Sequence, residues 1–263
     1  MNDGEILFDF SDRVSAFDIQ MATPIPRKGE VLCKFAEFWF NSVGTANHMI
    51  SLLSKNQMVV KRLTMIPIEC IVRGYFYGSL VDRFEAGADV GLPSDYHPIL
   101  AGELPEPIFD PTTKSEHHDS PIDRDTLVSK GMLSEQEFDL LSESSISLYK
   151  KMKTMAHDGG FIMADVKFEF GRDKDGQILL GDSLGPDEFR LWMLEKYNPG
   201  TKQDSFDKQL LRDWLTRSGF KTEVDRLARE GKKPASPTLP DLLVSELLSR
   251  YITAYEKICK KSL

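Results

Sequence analysis

Between Phe161 and Trp192 the chain runs FIMADVKFEFGRDKDGQILLGDSLGPDEFRLW, two stretches that read as buried β-strands yet carry charged residues at fixed intervals. Side chains alternate faces along a strand, so Asp165, Lys167 and Glu169 share one face while Ala164, Val166, Phe168 and Phe170 fill the other. The apolar face must be packed, which leaves a row of charges on its reverse. Asp175-Gly176 has the composition of a two-residue hairpin turn. With that turn, Lys174 lies opposite Gln177 and Glu169 lies opposite Asp182. Directly opposed side chains are ~4.5–5.5 Å apart at Cβ, and two carboxylates there destabilise the pair unless something neutralises them. A divalent cation is the simplest neutraliser. An all-oxygen donor set without nearby Cys or His favours Mg2+ held partly by substrate phosphates. The competing reading is a solvated strand face with a longer loop and a shifted register. Against it stands the uncharged Ile178-Leu179-Leu180-Gly181 lead-in, which points to burial.

The 263 residues suffice for one large domain or two modest ones, and 41% hydrophobic with 28% charged residues fits a soluble globular protein. A net charge of −8 argues against a general nucleic-acid binder, so an anionic ligand must be met by a local cluster of Arg and Lys. Cys33, Cys70 and Cys259 form no CxxC pattern and read as reduced thiols. The histidines show no metal-ligand spacing, and the adjacent His117 and His118 would point apart on a strand. No apolar run reaches the ~18–20 residues of a membrane helix, and no secretory signal opens the chain. These features together predict a cytoplasmic protein.

Residues 5–10 and 57–73 are strand-like, with Pro67 dividing the second stretch, and they predict a β-rich N-terminal unit over residues 1–70. Lys34 to Ser54, rich in aromatics (Phe35, Phe38, Trp39, Phe40), reads as a helix packed on that sheet. Residues 87–121 are rich in Gly and Pro and predict an irregular segment along a cleft. Ser134-Glu135-Gln136-Glu137 is a capping box, and the stripe Phe138, Leu141, Leu148, Met152, Met155 carries a helix to Gly159-Gly160. Ser205–Ser218 and Leu239–Lys261 read as further amphipathic helices. Strands and long helices without regular alternation indicate an α+β fold, with a larger unit over residues 71–263.

Seven segments in order then resemble one family, the SAICAR synthetases (phosphoribosylaminoimidazole-succinocarboxamide synthases). They are RVSAFD (13–18), IPRKGEVLCKFAEFWF (25–40), PIECIVRGYFYGSL (67–80), FDPTTKSEHHDSPI (109–122), DVKFEFG (165–171), GDSLGPDEFRLW (181–192) and SFDKQLLRDWL (205–215). The resemblance implies a small antiparallel β unit, a larger α+β unit and a kinase-like nucleotide cleft. It also implies an ATP-dependent ligase that joins the carboxylate of carboxyaminoimidazole ribotide (CAIR) to L-aspartate. The chemistry makes the same demand. A carboxylate has oxide as its leaving group, so ATP must first convert it to an acyl phosphate that the amine displaces. Such a reaction needs Mg2+ on the nucleotide phosphates, cations at the transferring group and positioning of three anionic ligands.

By resemblance, Glu169 and Asp182 are the Mg2+ ligands, Lys167 meets phosphate or the reacting carboxylate, Asp165 orients that lysine or the imidazole amine, and Arg190 clamps an oxyanion. Arg73 and Ser79 match the ribotide phosphate segment, with Gly74 and Gly78 admitting the ligand, and Lys208 and Arg212 complete that site. Lys114 and Asp119 would close on substrate opposite Ser15 and Asp18, while Lys61, Met65 and Glu69 form the nucleotide edge. For each there is an ordinary alternative: Arg73 as a structural ion pair, Lys208 and Arg212 as a solvated helix face, Ser79 as a helix cap.

Family members open with a strand, a Gly-Lys phosphate loop and a second strand, whereas MNDGEILFDF already reads as the second strand. The expectation is a recorded start downstream of that loop; the alternative is a form that grips ATP weakly or a silent nucleotide-binding protein. The remaining rival is a small-molecule kinase, since a DxK strand and a metal-binding Asp also suit transfer to a hydroxyl. Its substrates would need a denser basic pocket than this acidic chain offers. A homo-oligomer stays open, because an apolar helix face packs equally well inside a protomer or between two.

Overall fold

The computed structural model describes residues 4–114 and 120–263. In chain order its elements are β1 (Glu5–Asp9), β2 (Ser15–Ala16), β3 (Ile19–Gln20), α1 (Lys28–Ser42), β4 (Met49–Ser54), β5 (Gln57–Lys61), β6 (Thr64–Met65), β7 (Ile68–Tyr75), α2 (Ser79–Glu85), β8 (Glu103–Phe109), β9 (Thr112–Thr113), α3 (Arg124–Ser129), α4 (Glu135–Asp158), β10 (Phe161–Phe168), β11 (Phe170–Arg172), β12 (Ile178–Leu180), β13 (Phe189–Met193), α5 (Gln209–Arg217), α6 (Phe220–Ala228) and α7 (Asp241–Cys259). The mixture is α+β, as the sequence predicts.

The central sheet has the order β13-β10-β7-β8, and its neighbours run antiparallel. Asp165 lies opposite Arg73 on one side and Arg190 on the other, and Lys167 lies opposite Ile71. Directly opposed residues share a face, so Glu69, Arg73, Asp165, Lys167 and Arg190 collect on one surface of the sheet. Cys70, Val72, Val166, Phe168 and Phe189 occupy the other and are buried. Helix α4 covers that apolar face with Leu141, Leu148, Tyr149 and Met152, all buried. Its start is the anticipated capping box: Ser134 Oγ accepts from the Glu137 N–H, and Glu137 Oε2 accepts from the Ser134 N–H.

Smaller sheets flank this one. Strands β1-β5-β4 form one and β12-β11-β6 another. Helix α1 is shorter and earlier than the sequence suggests. It ends at Ser42, Gly44 takes φ 67, and Met49–Ser54 pairs with β5 as a strand instead of extending the helix. Its start lies upstream because Asp12 accepts from the Arg27 and Gly29 N–H groups, a cap supplied by a remote residue. Nor does α1 rest mainly on the N-terminal sheet. Phe35 packs edge-on against Phe189 and Tyr255, tying α1 to β13 and α7.

The Gly/Pro-rich segment contains a regular strand that was not anticipated: β8 includes Pro105 and Pro107. It lies at the sheet edge, where a missing N–H costs no ladder bond. Helices α3 and α6 were likewise unread, being six and nine residues long with little room for a period to show.

Two stability predictions follow from α4. Gly74 has no Cβ because one would fall 1.8 Å from the Tyr149 hydroxyl, which donates to the Met163 carbonyl at 2.8 Å. Gly74→Ala is expected to cost about 1–3 kcal/mol by overpacking, read from chemical denaturation. The Ser134 N–H, then Arg172, pull the Glu137 carboxyl from its ordinary 4.5 down to about 2. A depressed carboxylate stabilises the fold above its unfolded pKa and loses that contribution as pH falls toward its folded value. Glu137→Gln should therefore lower the melting temperature at pH 7 and converge with the parent as pH falls from 4.5 toward 2.

Candidate active site

On the polar face of the central sheet, Lys167 Nζ donates to Glu69 Oε1 at 2.9 Å and to Glu169 Oε1 at 3.0 Å. Thr112 Oγ1 donates to the second Glu69 oxygen at 3.2 Å, and Lys114 Nζ to the second Glu169 oxygen. Burial alone would depress the Lys167 ammonium, but Glu169, Glu69 and Glu188 together outweigh it and raise its pKa. The same balance holds for Glu169: burial pushes it up, and Lys167 and Lys114 pull it below its ordinary value. Asp182 has no cation so close. Burial first and Glu169 second push its carboxyl up to about 6.

Glu169 and Asp182 thus face each other, although not by the predicted register. The β11–β12 pairing sets Phe170 opposite Leu180 and Arg172 opposite Ile178, one residue out of step with the two-residue turn. Asp173 causes the slip. Its carboxylate accepts the N–H groups of Asp175 and Gln177, both at 3.0 Å, and closes a three-residue loop with Gly176 at φ 82. Gly181 then stands across from Glu169, donating its N–H to that carbonyl at 2.8 Å. Asp182 takes φ 54, a left-handed conformation that leaves the strand alternation and returns its carboxyl toward Glu169.

Among the described residues no group of three or more His, Cys, Asp or Glu could hold a metal alone. Two facing carboxylates, one of them with proton affinity raised by burial and then by the other, fit the share Mg2+ takes from protein when phosphates and water fill its remaining positions.

One strand step along, Arg190 Nη1 donates to Asp165 Oδ2 at 2.5 Å, and the guanidinium stacks 5.1 Å from the Tyr77 ring centre. Gly78, at φ 63, lies against it; a Cβ there would fall 3.0 Å from Arg190 Nη1. A cavity of about 60 Å³ is bounded by Asp165, Arg190, Lys208 and Arg212 together with Asp187 and Asp207. Lys208 lies 3.8 Å from Asp187, which also accepts from the buried Lys28 at 2.7 Å and from the Tyr251 hydroxyl at 3.3 Å. Burial holds the Lys208 ammonium below its ordinary value against the pull of Asp187. Arg73 donates to Ser79 Oγ at 3.0 Å, so these two meet, but its Nε goes to Asp110, which also receives Arg83. The open space at Gly74 belongs to Tyr149 rather than to a ligand.

The other residues singled out in the sequence come from several elements. Ser15 and Asp18 sit on the β2–β3 hairpin, and Asp18 lines a cavity with Val224, Ala228, Lys232 and Lys233. Among the described residues no hydrogen bond joins either one to the Lys167 cluster. Lys61 closes β5 opposite Glu5, while Met65 on β6 packs its sulfur 3.0 Å from the position a Gly171 Cβ would take. Glu69, expected at the nucleotide edge, accepts from Lys167. Asp119, like His117 and His118, lies outside the described residues. Residues the sequence did not single out also border the site: Asp110, Asp187, Glu188 and the buried His48, whose ring donates to the Asp182 carbonyl at 3.0 Å. Asp187 and Glu188 were legible as charges inside an apolar run; His48 carried no local signal.

The family model for SAICAR synthetase matches residues 1–227. A phosphoribosylaminoimidazole-succinocarboxamide synthase of Nitrosopumilus maritimus is 52% identical over 263 residues, spanning 100% of this chain and 95% of its own length. That of Corynebacterium glutamicum is 40% identical, over 98% of this chain and 89% of its own length. Among solved structures, the SAICAR synthase of Saccharomyces cerevisiae complexed with SAICAR superposes with a TM-score of 0.83 at 33% identity, covering 100% of this chain and 91% of that one. A SAICAR synthetase in complex with ADP gives 0.74 at 26% identity, covering 100% and 94%. No helix among the described residues is long and apolar enough to cross a membrane.

Proposed function

The chain belongs to the SAICAR synthetase family, whose members ligate CAIR and aspartate in purine biosynthesis, and we propose how its residues divide that work. ATP is the phosphoryl donor, a reading supported by the ADP complex of a related enzyme. A CAIR carboxylate oxygen attacks the terminal phosphorus, the bond to ADP breaks, and an acyl phosphate forms. The aspartate amine then attacks the acyl carbon, phosphate departs with the bonding electrons, and the amine loses a proton. Glu169 and Asp182 would hold Mg2+, which would screen the nucleotide phosphates.

Lys167 carries the reading. Its ammonium stands between the carboxylate pair and Asp165 on one strand face, and neighbouring acids keep it charged throughout the working pH range. It is placed to stabilise negative charge as it builds on the transferring group. Arg190, oriented by Asp165 and the Tyr77 ring, offers a fixed guanidinium to an oxyanion, and Lys208 with Arg212 adds cations across the small cavity. Arg73 and Ser79 form the ribotide phosphate end, with Arg73 preset by Asp110. Lys114, which donates to Glu169, meets substrate on this face, and Lys61, Met65 and Glu69 edge the nucleotide. The Asp187 network behind Lys208 keeps that lysine pointed inward.

A coupled assay tests the reaction: ADP release should require both the ribotide and L-aspartate, and release with a polyol alone would establish a kinase instead. Lys167→Met is expected to lower kcat about 10²–10³-fold, the scale of removing one preorganised group at a developing charge. An unchanged kcat in that variant would remove Lys167 from the chemistry.

A further inference from the structure

Leu180 and Phe170 are paired across β11–β12, so a strand continued through Asp182 would send its carboxylate to their side, away from Glu169. The left-handed turn at Asp182 prevents this, and a backbone with positive φ is unfavourable for a residue bearing a Cβ. Something must hold it there. His48 is bound at both ends of the turn. Its backbone N–H donates to the Leu180 carbonyl at 3.0 Å, and its ring Nε2–H donates to the Asp182 carbonyl at 3.0 Å.

The histidine itself is fixed from every side. Its carbonyl accepts the Lys61 N–H at 2.7 Å, and its ring stands edge-on between Phe8 at 5.2 Å and Phe40 at 5.3 Å. It is 2% exposed, beyond the reach of substrate. Two hydrogen bonds to the 180–182 turn from one buried residue restrain its shape.

We infer that His48 is a positioning residue: it clamps the Leu180–Asp182 turn so that the Asp182 carboxylate stays beside Glu169. The inference rests on the proposed metal role of those two acids. It assigns His48 no contact with substrate and no proton transfer.

Mn2+ replaces Mg2+ as the probe, and binding of the Mn2+–ADP complex to the full chain is followed by electron paramagnetic resonance, with ADP affinity in EDTA measured in parallel. His48→Leu should weaken Mn2+–ADP binding by roughly 10–100-fold, the range for removing an outer partner of a metal ligand, with ADP affinity in EDTA unchanged. His48→Gln, whose amide can donate from near the Nε2 position, should bind Mn2+–ADP like the parent. His48→Met serves as the donor-free variant where the leucine form does not fold. Parent-like Mn2+–ADP binding in the donor-free variant overturns the inference, as does equal weakening in His48→Gln or an equal loss with EDTA present. Asp182→Asn separates the two readings: unchanged Mn2+–ADP binding there refutes the metal pair itself.

Discussion

The ammonium of Lys167 between Glu69 and Glu169 is the contact on which the site depends. One face of the central sheet is sealed by α4, and the parity of β10 then forces Asp165, Lys167 and Glu169 onto the other. Carboxylates gathered on a largely covered face would repel one another. The lysine resolves this by touching two of them, and losing it would leave Glu69 with only the Thr112 hydroxyl and Glu169 with only Lys114. Register, packing and charge placement are therefore one constraint: a slip by a single residue would bury the lysine against α4 and expose Phe168.

Signs alternate along that face as well as across it. Asp165 is met by Arg190, Lys167 by Glu69 and Glu169, and Glu169 by Lys114. Each group is held by an opposite charge on another element, so its side-chain rotamer is set before any ligand arrives. Two residues along a strand span about 6.7 Å. That spacing separates a carboxylate end suited to a cation from a guanidinium end suited to anions, with the lysine midway.

Parity, the capping box and the long helices were legible because each follows from a repeating local rule. Ser134 and Glu137 satisfy each other within one turn, and Asp165, Lys167 and Glu169 follow period two. The hairpin register was misread because Asp173 recruits two loop N–H groups, a competition that the Asp-Gly pair does not reveal. Helix α1 was misplaced for a related reason: its N-terminal cap comes from Asp12, fifteen or more residues upstream. Asp110 and His48 could not be found at all, since their partners are distant in sequence. Local rules specify elements; the residues that aim side chains from outside an element become visible only once it is folded.

Some departures from regular geometry border the polar face. The β10–β13 ladder shifts register between Met163 and Asp165, next to the carbonyl that receives the Tyr149 hydroxyl. Gly78 beside Arg190 and Asp182 beside Glu169 both have positive φ. A bulge or a left-handed residue re-aims one side chain without moving its neighbours, which a regular strand cannot do. Close packing against α4 supplies the rigidity that such exceptions require. The apolar face can thus be uniform and close-packed while the opposite face places acids and bases at positions that strict alternation would not reach.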